Sequence, residues 1–283
     1  MSLFSGLEKM GLGKMKNVVL YAEEDKEEVK KAETAKKEVT VNETDFIYDK
    51  SFPCPVCNKT LKTKVVKTGK ARLTGQDIDL RPKYNDIDVL KYDVIACPIC
   101  GYASLPRTFD KLTSPQAKLI KENISVSFTG LKTEGMETYT YDDAIARARL
   151  ALINTVVKKG KLGERAYMCL ELAWLLRGKR ENLPEDTSDR NKVITELMAD
   201  ENEMLENARD GFTSAFSKEG FPLYSLDETT ATYVVAALCA ETGDKENALR
   251  WTSKLIASTA ANERIKERAR TLKEKVISGE KLL

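Results

Sequence analysis

The chain has 283 residues, 32% of them charged and 42% hydrophobic, and a formal net charge of +2. That balance points to a folded protein rather than a disordered or membrane-embedded one, and so small a charge gives no whole-chain argument for nucleic acid or an anionic membrane as partner. There is no histidine, which excludes a Ser-His-Asp triad, a Cys-His dyad, a histidine general base and a mixed Cys/His zinc site.

The length allows two domains of roughly 100–200 residues each. Four segments are expected: an N-terminal helix and charged linker (1–38), a zinc-ribbon-like β region (39–112), a connector (113–140) and a tetratricopeptide-like helical domain (141–283). Leu3, Phe4, Leu7 and Met10 share one helical face that Gly11 and Gly13 stop, giving a short helix that docks elsewhere or packs on its own body. Gly11-Leu12-Gly13-Lys14 is no phosphate loop, because Glu8 stands at the first glycine and Met15 replaces the magnesium-binding hydroxyl residue. Glu23 to Glu38 is almost entirely Glu, Lys, Asp and Ala, a linker or a lone exposed helix. The first residues lack a secretory signal's apolar core, and no apolar run reaches the ~18 residues that span a bilayer. A cytoplasmic location is expected.

Short strands are expected where β-branched and aromatic residues cluster, at Phe46–Tyr48, Lys64–Val66, Val89–Leu90 and Tyr92–Ile95, with Lys67-Thr68-Gly69-Lys70 as a hairpin tip. Within this region stand Cys54-Pro55-Val56-Cys57 and Cys97-Pro98-Ile99-Cys100. In a reducing compartment such pairs favour metal or redox chemistry over structural disulfides. A thioredoxin-like redox motif needs a βαβ setting that these lack. Cys54, Cys57, Cys97 and Cys100 are therefore the expected ligands of one tetrahedral zinc ion, with Asn58 and Gly101 supplying the left-handed residue after each turn. Four thiolates fill the shell, so the ion is structural; iron uses the same ligand set. Cys169 and Cys239, inside apolar helical stretches, pack as small hydrophobes.

Between the two turns, Lys59, Lys62, Lys64, Lys67, Lys70 and Arg72 run without an acid. They guard an edge strand or, as the alternative, contact phosphates of a nucleic acid through Lys62, Lys64, Lys67, Lys70 and Arg72. Asp77, Asp79, Asp86, Asp88 and Asp93 follow at once, no aromatics interleave for stacking, and the edge-strand reading is preferred. Tyr84, Tyr92 and Tyr102 belong to a small core.

Ser114-Pro115 opens a helix through Asn123, with Ser114 as its cap, and Ser125 to Met136 is a loop or extended connector. From Tyr141 the pattern is helical: Ile145, Ala148, Leu152 and Val156, then Leu170, Ala173, Trp174 and Leu176, then Val193–Phe216, Thr229–Glu241, Asn247–Ile256 and Arg264–Ile277. Gly160, Gly178, Gly220 and Gly243 are expected between helices or at their ends. Ala236, Cys239, Gly243, Asp244 and Ala248 reproduce a tetratricopeptide pattern, and Trp174 and Trp251 are core residues.

Cys-Pro-Val-Cys, the run Tyr92-Asp93-Val94-Ile95-Ala96-Cys97-Pro98-Ile99-Cys100-Gly101-Tyr102-Ala103, Ala173-Trp174-Leu175-Leu176-Arg177 and Ala248-Leu249-Arg250-Trp251 together resemble an uncharacterised bacterial domain-of-unknown-function family, over roughly Phe46 to Ile256. The resemblance implies a bacterial cytoplasmic protein with a ribbon-like metal region and tetratricopeptide-like helices, and implies no particular activity. The expected class is α+β, and the expected function is a zinc-stabilised scaffold that holds a partner protein or peptide on its helices. Nucleic-acid binding through the basic hairpin is the alternative. No catalytic residues, membrane partner or small-molecule substrate is inferred, and an enzyme is the least supported class.

Overall fold

Strand propensity in the first part of the chain is spent on three separate antiparallel ladders of two strands each. The structure, a computed structural model, describes residues 42–131, 133 and 135–282; the N-terminal helix and charged linker expected at 1–38 lie outside them. Strand β1 (Ile47–Pro53) pairs with β2 (Thr60–Val66), from Ile47 opposite Val66 to Pro53 opposite Thr60. The period-two rule is visible in β2, where Leu61 and Thr63 are buried and Lys62 is exposed. Strand β3 (Leu73–Gln76) pairs with β4 (Pro82–Tyr84), and β5 (Ile95–Ala96) with β6 (Ala103–Ser104).

Two local expectations change. Lys67 to Lys70 is a turn, closed by the Lys70 amide on the Lys67 carbonyl at 3.2 Å, but it joins β2 to β3, which belong to different ladders. Its residues dictate the bend; which strands then pair follows from Phe46 and Ile47 burying against Ile87, Tyr92 and Tyr139. Val89–Tyr92 is a 3-10 turn rather than a strand, because Asp88 Oδ1 accepts from the Leu90 amide at 3.1 Å and starts a helical turn.

Helices α1 (Pro106–Phe109) and α2 (Ser114–Ile120) follow, and α2 widens into a π turn at Lys121–Ser125. The α2 cap is Thr113, boxed with Gln116, which puts Ser114 one position inside the helix. Then come α3 (Tyr141–Val157), α4 (Leu162–Glu181), α5 (Arg190–Lys218), α6 (Glu228–Glu241), α7 (Lys245–Ala257) and α8 (Glu263–Ser278). Thr140, Asp227, Asp244 and Asn262 cap four of these by accepting an amide from the first turn. Each of α3 to α8 packs on its neighbour in sequence. Helix α6 is buried all round from Ala231 to Ala240, as a central helix must be. The class is thus α+β: small antiparallel ladders, then a mostly helical region. No helix among the described residues is long and apolar enough to cross a membrane.

One core joins the two parts. Leu90, Val94, Ala96, Ala103 and Leu105 from the strand region are continuous with Ala148, Leu170, Ala173 and the inner faces of α5 to α8. Charge joins them as well. Arg177 of α4 is fully buried and reaches Asp79 at 2.9 Å, Glu201 at 2.6 Å, Glu241 at 2.8 Å and Asp77 at 3.5 Å. Asp79, also fully buried, accepts from Trp174 Nε1 at 2.8 Å. Trp174, Cys169 and Cys239 are core residues, as their helical spacing suggests.

Gly178 is not a helix boundary. It lies inside α4, where a Cβ would stand 2.6 Å from Tyr141 Cε1 and 3.1 Å from both Arg81 Nη2 and Asp88 Oδ2. The glycine marks a close approach of the start of α3 and of the strand region to α4. Gly178→Ala gains up to ~1 kcal/mol of helix propensity but meets overpacking of about 1–3 kcal/mol. The urea midpoint should therefore fall; a midpoint equal to or above the parent's would show that the approach is not tight.

Candidate metal centre

Each cysteine pair occupies the loop of a hairpin. In the first, between β1 and β2, the Cys54 amide donates to the Lys59 carbonyl at 3.0 Å and the Asn58 amide to the Cys54 carbonyl at 2.9 Å. The second, between β5 and β6, repeats the pattern: Cys97 amide to Tyr102 carbonyl at 2.7 Å, Gly101 amide to Cys97 carbonyl at 3.1 Å. The residue closing each turn is left-handed, Asn58 at φ 60° and Gly101 at φ 73°, which is the conformation Asn and Gly adopt at least cost. Gly101 is doubly constrained, because a Cβ there would sit 2.7 Å from the Phe128 ring.

The hairpins face each other. Cys54 Sγ lies 3.6 Å from Cys100 Sγ and Cys57 Sγ lies 3.7 Å from Cys97 Sγ, and all four sulfurs fall within 4.8 Å of one another. A disulfide would need about 2.05 Å. Tetrahedral thiolate coordination at ~2.3 Å per bond puts neighbouring sulfurs about 3.8 Å apart, so the observed separations suit four ligands around one ion. Cys54, Cys97 and Cys100 are buried and Cys57 is half-buried. Around them close Val56, Leu61, Ile95, Tyr102, Phe109, Ile120 and Ile124.

The buried thiols of the cluster do not ionise alike. Contacts with Cys100 and Cys54 draw the Cys97 thiol down to about 2. Contacts with Cys54 and Cys97, together with burial, push the Cys100 thiol well above its ordinary value. One thiolate forms readily, while a second charge is resisted, and a proton or a bound metal would offset it.

Parts of the support carry no signature in the cysteine spacing. Asn154 of α3 donates to the Gly101 carbonyl at 2.9 Å, Ser125 Oγ to the Cys100 carbonyl at 2.8 Å, and Tyr102 hydroxyl to the Phe109 carbonyl at 2.9 Å. The second knuckle is thereby tied to the helices. Tyr92 and Tyr102 are core residues as expected, whereas Tyr84 is half-buried in a charged cleft with Arg81, Lys91 and Tyr141.

The basic residues are dispersed. Lys64 pairs with Asp49 at 3.1 Å and Lys67 donates to the Asp45 carbonyl at 2.9 Å, while Lys62, Lys70 and Arg72 stand exposed. Lys62 and Lys64 share one face of β2, and Lys67, Lys70 and Arg72 lie beyond the strand's end.

These features define an α+β protein with a four-cysteine cluster of metal-binding geometry at the base of a helical array. The chain belongs to the family described as uncharacterized proteins conserved in bacteria (DUF2225), whose model matches residues 47–276. No curated protein and no solved structure matches the chain.

Stripping metal with a strong chelator should lower the thermal midpoint, with re-addition of zinc restoring it. Cys97→Ser should show the low midpoint from the start and no response to chelator, while Cys169→Ala should keep the response. A parent protein indifferent to chelation would remove the metal from the account.

Proposed function

We propose that the chain is a metal-stabilised interaction protein, in which a structural zinc ion holds the strand region together and the helices carry the surface that a partner protein occupies. Four thiolates satisfy zinc completely and leave no position for water or substrate, which supports a structural rather than a catalytic ion. Thiolate donors select soft metals, and zinc is their common redox-inert occupant.

The observation that carries the partner reading is a cavity of about 780 Å³ bordered by α4, α5, the end of α6 and the C-terminal residues Lys281 and Leu282. Its wall includes Met198, 53% exposed, beside the buried Leu205. A flexible, exposed methionine next to apolar core is a surface that adapts to a bound side chain. Helices stacked in sequence order present continuous faces of this kind to extended partners.

A partner recovered from bacterial cells on the tagged chain should re-form a binary complex when both components are purified. Met198→Glu should weaken that complex at least tenfold, about 1.4 kcal/mol or more, without moving the thermal midpoint, and Lys62→Glu with Lys70→Glu should leave it unchanged. A complex that tracks the lysines instead, or a recovered partner that fails to bind once purified, would refute the reading.

A further inference from the structure

The same cavity contains an acid with an unused oxygen. Glu241, at the end of α6, contributes to the lining, and its side chain is only 3% exposed. Oε2 accepts from Arg177 Nη2 at 2.8 Å, but Oε1 is buried with no hydrogen-bond partner among the described residues. Its neighbour Glu201 is saturated: Oε1 accepts from Arg177 Nε at 2.6 Å, and Oε2 from Arg180 Nε at 3.2 Å and Nη2 at 3.0 Å. A buried acceptor left without a donor costs about 1–3 kcal/mol, and native folds keep few of them.

Charge at this end of the cavity is unbalanced in the same direction. Glu181 is paired with Arg81 at 2.8 Å and Asp77 with Arg81 and Lys83, but among the described residues Asp79 and Glu241 have only Arg177, which Glu201 also draws on. Arg180 is committed to Glu201, and Lys281 is exposed. Around the acids the surface is apolar, from Met198, Ala199, Leu205 and Leu282. The volume, about 780 Å³, falls in the ~300–1,000 Å³ range of sites for small organic groups. An anion would meet the unfilled oxygen of Glu241, and a neutral apolar group would leave Oε1 unpaired.

We propose that this cavity binds an organic cation, a primary ammonium or guanidinium on an apolar body, whose N–H donates to Glu241 Oε1 while the body lies against Met198, Leu205 and Leu282. The inference rests on the proposed role of this surface in binding and names the chemistry it accepts. A free amine and a lysine or arginine side chain of a partner protein offer the same group.

Titration of the full chain, labelled with carbon-13 at its methionine methyls, decides the matter. Benzamidine and hexylamine should shift the Met198 methyl resonance saturably, and their neutral counterparts, benzamide and hexanol, should bind at least tenfold more weakly. Glu241→Gln keeps an oxygen for Arg177 but loses the charge, and should abolish the preference for the cation. Equal response to charged and neutral probes, an unmoved Met198 methyl, or an undiminished preference in Glu241→Gln would overturn the proposal. The comparison on unsubstituted protein stands even if the variant fails to fold. A Leu-Lys-Leu peptide that binds more tightly than hexylamine, and loses that advantage when the lysine is acetylated, assigns the cation to a protein partner; hexylamine binding as tightly or more tightly assigns it to a free amine. If Met198→Glu breaks the partner complex while cations leave Met198 unmoved, the interaction reading survives and this inference falls.

Discussion

Four sulfurs held within 4.8 Å of one another form a cluster that cannot ionise fully on its own. Three are buried, and the low dielectric around them strengthens repulsion between neighbouring thiolates. Retained protons or a soft cation relieve the conflict, and a cation would turn mutual repulsion into four metal–sulfur bonds. The ladders that carry the cysteines are short: two residues per strand in β5 and β6, seven in β1 and β2. Isolated two-stranded hairpins are marginal in water. An ion shared by both hairpins would supply what their hydrogen bonds cannot and would fix the knuckle that Asn154 holds from α3.

A second constraint acts away from the ion. The turn between β3 and β4 sends Asp77 and Asp79 into the helical core, where Arg177 meets them together with Glu201 from α5 and Glu241 from α6. Removing one member of such a buried network leaves charge without compensation, which is far costlier than replacing the whole set by apolar residues. Burial raises Asp79 above the ordinary carboxylate range even with Arg177 against it, so the pairing is made under strong desolvation. The strand region and helices are consequently one packed body, and the cavity beside Glu241 is a product of the same arrangement. Arg177 is the one cation that Asp79 and Glu241 share among the described residues, and Glu241 Oε1 is left without a donor.

The four-cysteine cluster was legible from sequence because its geometry is local: Cys-Pro-x-Cys turns need a left-handed residue next, and Asn58 and Gly101 stand where the backbone requires them. Helices α3 and α5 to α8 were legible for a similar reason, since apolar period and capping residues repeat within each segment. The Gly178 expectation failed because glycine has two uses. Here it admits Tyr141, Arg81 and Asp88 against a helix rather than ending one, and that approach is set by residues remote in sequence. Lys67 to Lys70 failed likewise, since a turn is local but the pairing of its flanking strands is not. The acidic run after the basic stretch speaks in sequence only against a phosphate-binding surface; Asp77 and Asp79 are partners of Arg177, about a hundred positions away along the chain. Ion pairs of that separation leave no period or spacing to read.

The central claim is that all four cysteine sulfurs bind a single ion. X-ray absorption at the zinc edge on the full chain measures this directly. The account predicts a first shell of sulfur alone, four scatterers at about 2.3 Å. A shell containing oxygen or nitrogen, or one with fewer than four sulfurs, would contradict it.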